Sequence, residues 1–390
     1  MARSKKRSRR LIFLQKGLLA LSILFITSSC TELSERTLIA GVGIDQKEDG
    51  TIRLTLALLG SQKQPGSQKL QGANQTTMYT VEGQTIFDAG RKFIQNIGNQ
   101  LLWPYVKIVV IGPSISHKDV IPMLDFLNRN NEIQPNPYIL LSQVSAEEII
   151  NLKTDLPILS TVMIEQQIKN QGLLSRAPRV QLYQFNEMMF SHGGTGFASL
   201  IKKVTHNKQP VPMVEGMAVL KKGKWVGELD SEKTRGVLWV RGDVEGGILV
   251  VQADSEGGDQ QVKISLEIME CTKAKIKPLL QEDELSVTLD IHSRMAVGEV
   301  LGHFTMNKAN VDLINDLAAK EINKEIMAAM KVAQKEWQTD IFGIKQVVER
   351  KYPEYWKKHK EEWESIFAEL PIQADVEVSI RKLGLVESFP

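Results

Sequence analysis

Apolar residues in the first half of the chain fall in short runs rather than long helical stripes. Residues 37–45 read Thr-Leu-Ile-Ala-Gly-Val-Gly-Ile-Asp, and residues 51–59 place Ile52, Leu54, Leu56 and Leu58 on one phase. Asp49-Gly50 between them predicts a β-hairpin, because glycine adopts the positive φ of a tight turn without strain. Residues 60–76 are rich in Gln, Ser, Gly and Lys and predict a surface loop. Residues 78–82 predict a strand. Residues 85–96 predict a helix, with Ile86, Ala89, Phe93 and Ile97 on its apolar face. A buried strand is expected at 105–111, a helix at 118–128 entered through Ser116 as N-cap, and a strand at 138–143. A short helix at 146–152 follows, with Ser145 as its cap and Glu147 and Glu148 in its first turn. Alternating strands and helices up to about Asn170 predict mixed α/β layers.

Residues 171–209 are punctuated by Gly and Pro and show weaker periodicity, so a connection and a domain boundary near 205–212 are expected. Beyond it, 215–220 and 224–229 flank Lys221-Lys222-Gly223 and predict a second hairpin. Strands are expected at 236–241 and 247–252. Val262, Ile264, Leu266 and Ile268 alternate with polar residues, and 285–292 behave similarly, which predicts antiparallel sheet. From Lys308 the period changes to that of a helix about 30 residues long. Ile314, Ile322, Ile326, Ala329, Ala333 and Trp337 lie on one face and lysines and glutamates on the other. A second helix is expected from Pro353 to about Glu369. Residues 372–381 then alternate without a break and predict a paired terminal strand.

The predicted class is α+β and multi-domain. N-terminal α/β layers precede an antiparallel β-rich segment packed with two long helices and a terminal strand. The expected divisions are a signal segment at 1–29, an N-terminal domain at 30–206 and a C-terminal α+β domain at 207–390, with a subdivision near 300.

Composition changes this picture at one point. The chain has 48 Lys+Arg against 46 Asp+Glu and a net charge of +2. Seven of the basic residues and no acid lie in residues 1–29, so the remainder carries five net negative charges. Nucleic-acid binding needs a basic excess on the folded part and is disfavoured. The basic block precedes an apolar core of residues 17–26. At ~1.5 Å per residue that core spans about half of a ~30 Å hydrocarbon layer, as a signal h-region does. Thr27-Ser28-Ser29-Cys30 follows it and resembles a bacterial lipobox, in which the cysteine sulfur receives a diacylglycerol and becomes the mature N-terminus. Cys30 is therefore the expected lipidation site. The other cysteine, Cys271, then has no partner in the chain. It is expected as a small residue at the end of a strand, which excludes a disulfide framework.

Recognisable catalytic motifs are absent: there is no HExxH, GxSxG, P-loop or EF-hand. Six histidines are scattered without ligand-like spacing. No catalytic, metal or cofactor residue is assigned. Ser191-His192-Gly193-Gly194-Thr195-Gly196 lacks the glycine spacing of a phosphate loop and reads as a connection. Trp356, Trp363 and Phe367 share a helical face and read as a core stripe beneath the charged Lys357 and Lys358, not as a nucleic-acid surface. Asp45 reads as a turn-capping residue.

The order of these segments resembles the Ger(x)C family, the C subunits of nutrient germinant receptors in endospore-forming bacteria. The resemblance runs from the lipobox cysteine and residues 35–45, Glu-Arg-Thr-Leu-Ile-Ala-Gly-Val-Gly-Ile-Asp, through Asn131-Glu132-Ile133 and residues 145–149. It continues in Glu215-Gly216-Met217 and Val226-Gly227-Glu228-Leu229. It ends in Asp340-Ile341-Phe342-Gly343, Tyr352-Pro353-Glu354-Tyr355-Trp356, Trp363 and the terminal strand. Thr31-Glu32 replaces the aromatic and acidic pair that many members carry after the cysteine. The resemblance implies a non-enzymatic, lipid-anchored subunit on the outer face of the spore inner membrane, with a mixed α and β fold in about three domains. It would assemble with a larger A subunit and a polytopic B subunit that resembles amino-acid transporters. Nutrient sensing falls to the partners, so no small-molecule ligand is expected on this chain. The alternative is an extracytoplasmic solute-binding lipoprotein. That class needs a ligand cleft between two α/β lobes, whereas here the second half is β-rich and then helical.

Overall fold

In the computed structural model, residues 36–59, 76–153, 159–191, 194–255 and 261–382 are described. The first hairpin forms as expected. β1 (Arg36–Gln46) and β2 (Ile52–Leu59) pair antiparallel, and Gly50 takes φ +87° at the turn. β3 (Thr76–Gly83) adds to β2, and α1 (Ile86–Ile97) follows, capped by Thr85, whose hydroxyl accepts from Asp88 N at 3.1 Å. β4 (Gln100–Leu102) and β5 (Ile108–Ile111) run parallel to β1. Pro104 sits in a 3₁₀ turn, Trp103–Tyr105, so the strand expected at 105–111 is shorter.

Ser116 is not the cap of the next helix. It ends α2 (Pro113–Ser116), where its hydroxyl donates to Gly112 O at 3.2 Å. Asp119 accepts from Ile121 N at 2.9 Å as α3 (Ile121–Arg129) begins. β6 (Tyr138–Ser142), α4 (Ala146–Ile150) and α5 (Ser160–Lys169) come next. Two elements then stand where only a connection was expected. They are α6 (Leu182–Ser191) and β7 (Gly196–His206). β8 (Gln209–Lys221) and β9 (Lys224–Leu229) complete a nine-stranded sheet, ordered β3-β2-β1-β5-β6-β7-β8-β9 with β4 beside β1. Its centre is parallel and buried on both faces, and antiparallel hairpins close both ends. Residues 207–208 form the β7–β8 turn, so this sheet continues to Leu229.

The expected strand at 236–241 is a helix. α7 (Ser231–Arg241) starts at Asp230, whose carboxylate accepts from Lys233 N at 2.8 Å. Residues 234–240 are buried all round, so the sequence shows no amphipathic stripe, and its Val-Leu-Trp-Val run imitates a strand. The second sheet has the order β10-β11-β12-β13, from β10 (Ile248–Asp254), β11 (Gln261–Gln281), β12 (Glu284–Leu301) and β13 (Ile372–Lys382). β13 pairs parallel to β12, as a strand returning after a helical crossover does. Cys271 lies inside β11 between two irregularities of its register, not at a strand end.

α8 (Lys308–Val332) carries Ile314, Ala318, Ile322, Ile326 and Ala329 fully buried and packs against β10, β13 and α7. Its Asn323 donates to Ala374 O at 2.9 Å, and its Asn315 accepts from Ile380 N at 3.1 Å, so the helix grips the edge strand. A single π-turn, Ala333–Trp337, ends it. α9 (Ile344–Lys351) comes next, and the helix expected from Pro353 to about Glu369 is broken into α10 (Pro353–His359), a 3₁₀ turn at Lys360–Glu362 and α11 (Trp363–Glu369). The architecture is mixed α+β, with an N-terminal mixed sheet and a C-terminal four-stranded sheet under a long helix.

Candidate functional site

Short glycine-containing motifs mark three places where another element packs directly against bare glycine backbone. In β1, a Cβ at Gly41 would lie 2.8 Å from Ile108 and Thr161 side-chain atoms, and one at Gly43 3.0 Å from Ile150. The two glycines therefore let α4 and α5 sit directly on the sheet. Asp45 ends this motif, but it caps no local turn. Its carboxylate accepts from Ala146 N at 3.0 Å and Glu147 N at 2.9 Å, capping a helix a hundred residues away. Burial pushes its pKa up, and the two backbone amides pull against that. Gly112 is obligatory beside it, because a Cβ there would fall 1.8 Å from Asp45 Oδ1.

The second place joins α7 to α8. A Cβ at Gly236 would lie 2.2 Å from Glu325 O, so the helices touch backbone to backbone. Arg235 donates from Nε to Glu325 Oε2 at 2.9 Å and from Nη1 to Ile248 O at 2.9 Å. Trp239 Nε1 donates to the same carboxylate at 3.2 Å. Glu325 is thus a buried anion with its charge paired and its lone pairs filled. At the third place, a Cβ at Gly227 would lie 2.4 Å from the Trp337 indole, which rests on the bare backbone of β9.

A cleft of about 1040 Å³ opens between the first sheet and the C-terminal helices. Its walls come from α6, the start of β7, the β8–β9 turn, β11 and residues 338–365. Lys221 stitches the wall by donating to Trp337 O at 3.1 Å and pairing with Glu364 at 2.9 Å. Asp340 lies at its edge and caps α9. Its Oδ1 accepts from Phe342 N and Gly343 N, both at 3.0 Å. Burial raises the Asp340 pKa, opposed by its backbone donors. Basic side chains outnumber acidic ones around the cleft, and Lys275 and Arg350 make no ion pair among the described residues.

A second groove, of about 1000 Å³, runs between α1 and α3 and is lined by Phe87, Trp103, Met123 and Phe126. Phe87 is 55% exposed there, with Arg91 stacked over its ring at 4.9 Å.

On the second sheet, Asp290 is buried between strands. Lys273 reaches its Oδ2 at 2.6 Å, His292 Nε2 its Oδ1 at 3.0 Å, and Lys277 is a further partner. The lysine ammonium groups hold its carboxyl well below the usual carboxylate range.

Among the sequence-predicted residues, Cys30 lies outside the described residues, as do residues 60–75 of the loop expected at 60–76, while Thr76 already belongs to β3. In the glycine-rich connection, residues 192–193 are likewise outside. Gly194 O accepts from Gly223 N at 2.9 Å, so that part of the connection holds the β8–β9 turn. Trp363 and Phe367 are buried, as a core stripe requires, and Trp356 is half-buried with its ring 5.4 Å from Trp363. Cys271 is half-buried, and burial pushes its thiol pKa up, away from the reactive thiolate. Sequence reasoning missed the Arg235–Glu325 pair, since nothing in either local pattern points across ninety residues.

Comparison with known proteins places these features in one family. Residues 30–203 match the profile described as the spore germination protein N-terminal domain. Residues 215–384 match the C-terminal profile described as spore germination B3/GerAC like. The chain is 24% identical to spore germination protein YndF of Bacillus subtilis (strain 168), over 82% of this chain and 78% of that one. It is 21% identical to spore germination protein B3 of the same organism, over 91% and 93% of the two chains. The crystal structure of the GerBC protein superposes with a TM-score of 0.58 and 18% identity, covering 90% of this chain and 99% of that one.

Proposed function

This chain belongs to the GerAC-like family of spore germination proteins, whose members are non-enzymatic, and on that premise we propose that it is the lipid-anchored C subunit of a nutrient germinant receptor. The observation that carries the reading is the start of the N-terminal family match at residue 30, the cysteine that the lipobox marks for acylation. In this reading residues 1–29 direct export and are removed, and the mature chain begins at Cys30. The two family matches, ending at 203 and beginning at 215, support a division into an N-terminal domain at 30–206 and a C-terminal domain at 207–390, with the first sheet running across that division to Leu229. Two acyl chains, at about 0.8 kcal/mol per buried methylene, anchor a protein stably. No helix among the described residues is long and apolar enough to cross a membrane.

The subunit then works by assembly with the A and B membrane subunits on the outer face of the spore inner membrane. The family match across both halves supports this, as does the architecture. A solute-binding protein closes two α/β lobes on its ligand, whereas the second layer here is a four-stranded sheet under α8. Replacing Cys30 with Ala tests the anchor. The variant should move from the membrane to the soluble fraction, and its spores should respond more slowly to nutrient. Full membrane attachment with an undiminished response would remove the anchoring claim.

A further inference from the structure

The basic cleft between the first sheet and the C-terminal helices has no role in the anchor. We propose that it docks an acidic polypeptide segment of a partner subunit. This rests on the reading of the chain as a subunit that works by assembly, and it supplies the surface and the chemistry.

Charge is the first ground. The chain beyond residue 29 carries net negative charge, yet this cleft reverses the sign. Lys275 on β11 and Arg350 on α9 stand exposed at its rim without an acidic partner among the described residues. Lys345 lies over the Trp356 ring at 5.3 Å instead of pairing with a carboxylate. Unpaired cations gathered in a concavity focus the field and draw in an acidic partner.

Two orphaned polar atoms are the second ground. Trp363 is 6% exposed and Gln346 is half-buried, and both line the cleft. Among the described residues, Trp363 Nε1 is a donor without an acceptor and Gln346 Oε1 an acceptor without a donor, and both atoms are closed to water just beneath the cleft wall. Such atoms are costly unless something pairs with them. Phosphate or a free carboxylate offers acceptors alone. A polypeptide backbone offers both C=O and N–H, and its acidic side chains meet Lys275 and Arg350.

Size and placement agree. The cleft, at about 1040 Å³, lies at the upper end of small-molecule sites, which reach about 1,000 Å³. A bilayer surface cannot follow a concavity down to Trp363. The β8–β9 turn in the cleft wall also abuts Val120, whose N–H donates to Gly223 O at 2.9 Å. Nearby, Lys118 reaches Gln46, at the end of β1 farthest from Arg36, where the chain leads in from Cys30.

The test uses the full chain in detergent micelles and a fluorescent decaglutamate peptide, followed by anisotropy at low and high salt. The paired variant Lys275→Glu/Arg350→Glu reverses two exposed charges. Lys308→Glu, at the far end of α8, is the control, and circular dichroism checks that each variant is folded. The wild type and the control should bind alike, and the paired variant at least tenfold more weakly, with the wild-type affinity falling as salt rises. Equal binding by the paired variant overturns the proposal, as does an absence of wild-type binding. Complete displacement by inorganic phosphate would mark a small-anion site instead. Equal competition by phosphatidylglycerol vesicles through the same two residues would mark a membrane surface. Co-expressed A and B subunits separate this proposal from the function on which it rests. If they fail to co-purify with the wild type, the receptor-subunit reading fails and the peptide titration still decides the cleft. If they co-purify equally with wild type and paired variant, the cleft proposal alone is overturned.

Discussion

Arg235 on α7 and Glu325 on α8 form a buried ion pair beside the one glycine, Gly236, that lets the two helices touch. Charge, indole N–H and backbone carbonyl together satisfy the pair. Breaking it from one side leaves an uncompensated buried charge. Arg235→Ala should therefore cost about 3–5 kcal/mol, whereas the double replacement Arg235→Met/Glu325→Leu should recover most of that loss. Urea midpoints of the three proteins measure this. A single variant as stable as the wild type would show the pair to be dispensable.

Asp45 acts as a cap placed by tertiary structure. Asp45→Ala should cost about 1–2 kcal/mol through the loss of two amide partners on α4. Gly112→Ala should cost more, because its methyl would fall on Asp45 Oδ1. The two sites share one space, so the double variant should lose less than the sum of the singles. Thermal unfolding of all four proteins checks both the order and the non-additivity. Simple additivity would mean that the two residues act independently.

Asp290 sets an acid limit on the second sheet. Its folded pKa is depressed by Lys273 and Lys277. The stabilisation it contributes is therefore present above the unfolded aspartate value of about 3.9 and is lost as pH falls through the folded value. The melting-temperature gap between wild type and Asp290→Asn should be widest at pH 5 and above and narrow below about pH 3. A gap that stays constant across that range would contradict the assignment.

Gly227 couples the first sheet to the turn after α8. Gly227→Val should push the Trp337 indole off β9 and shift its fluorescence toward the red as water reaches it. The same substitution on a Trp337→Phe background should produce little spectral change. An unchanged wild-type spectrum in Gly227→Val would show that the contact is loose.

α1, α8 and β13 were legible because each has a single buried face, and burial on one side leaves a period of 2 or 3.6 in the residues. The first hairpin, whose strands are buried on both faces, was marked instead by Asp49-Gly50 between two apolar runs. α7 was not legible, because it is buried on all sides and its Val-Leu-Trp-Val segment carries no period. Its start was marked all the same, by Asp230 followed by Ser-Glu-Lys-Thr. α6 and β7 were hidden by the glycines and prolines around them. The broken second C-terminal helix shows the limit of an aromatic stripe. Trp356, Trp363 and Phe367 need a common side, and three short helical segments provide it as well as one rod does.

The lipobox resemblance at Cys30 is a local feature carried by a few adjacent residues, so the order of residues alone supplied that expectation. The same holds for strands and helices that bury one face, and for the ordered short motifs that mark the family. Which glycine meets which backbone, which aspartate caps a helix a hundred residues away, and where unpaired cations gather around an orphaned indole were decided by the tertiary structure alone. Those relationships join residues whose separation along the chain is many times their separation in space. No local pattern of polarity records a contact of that kind.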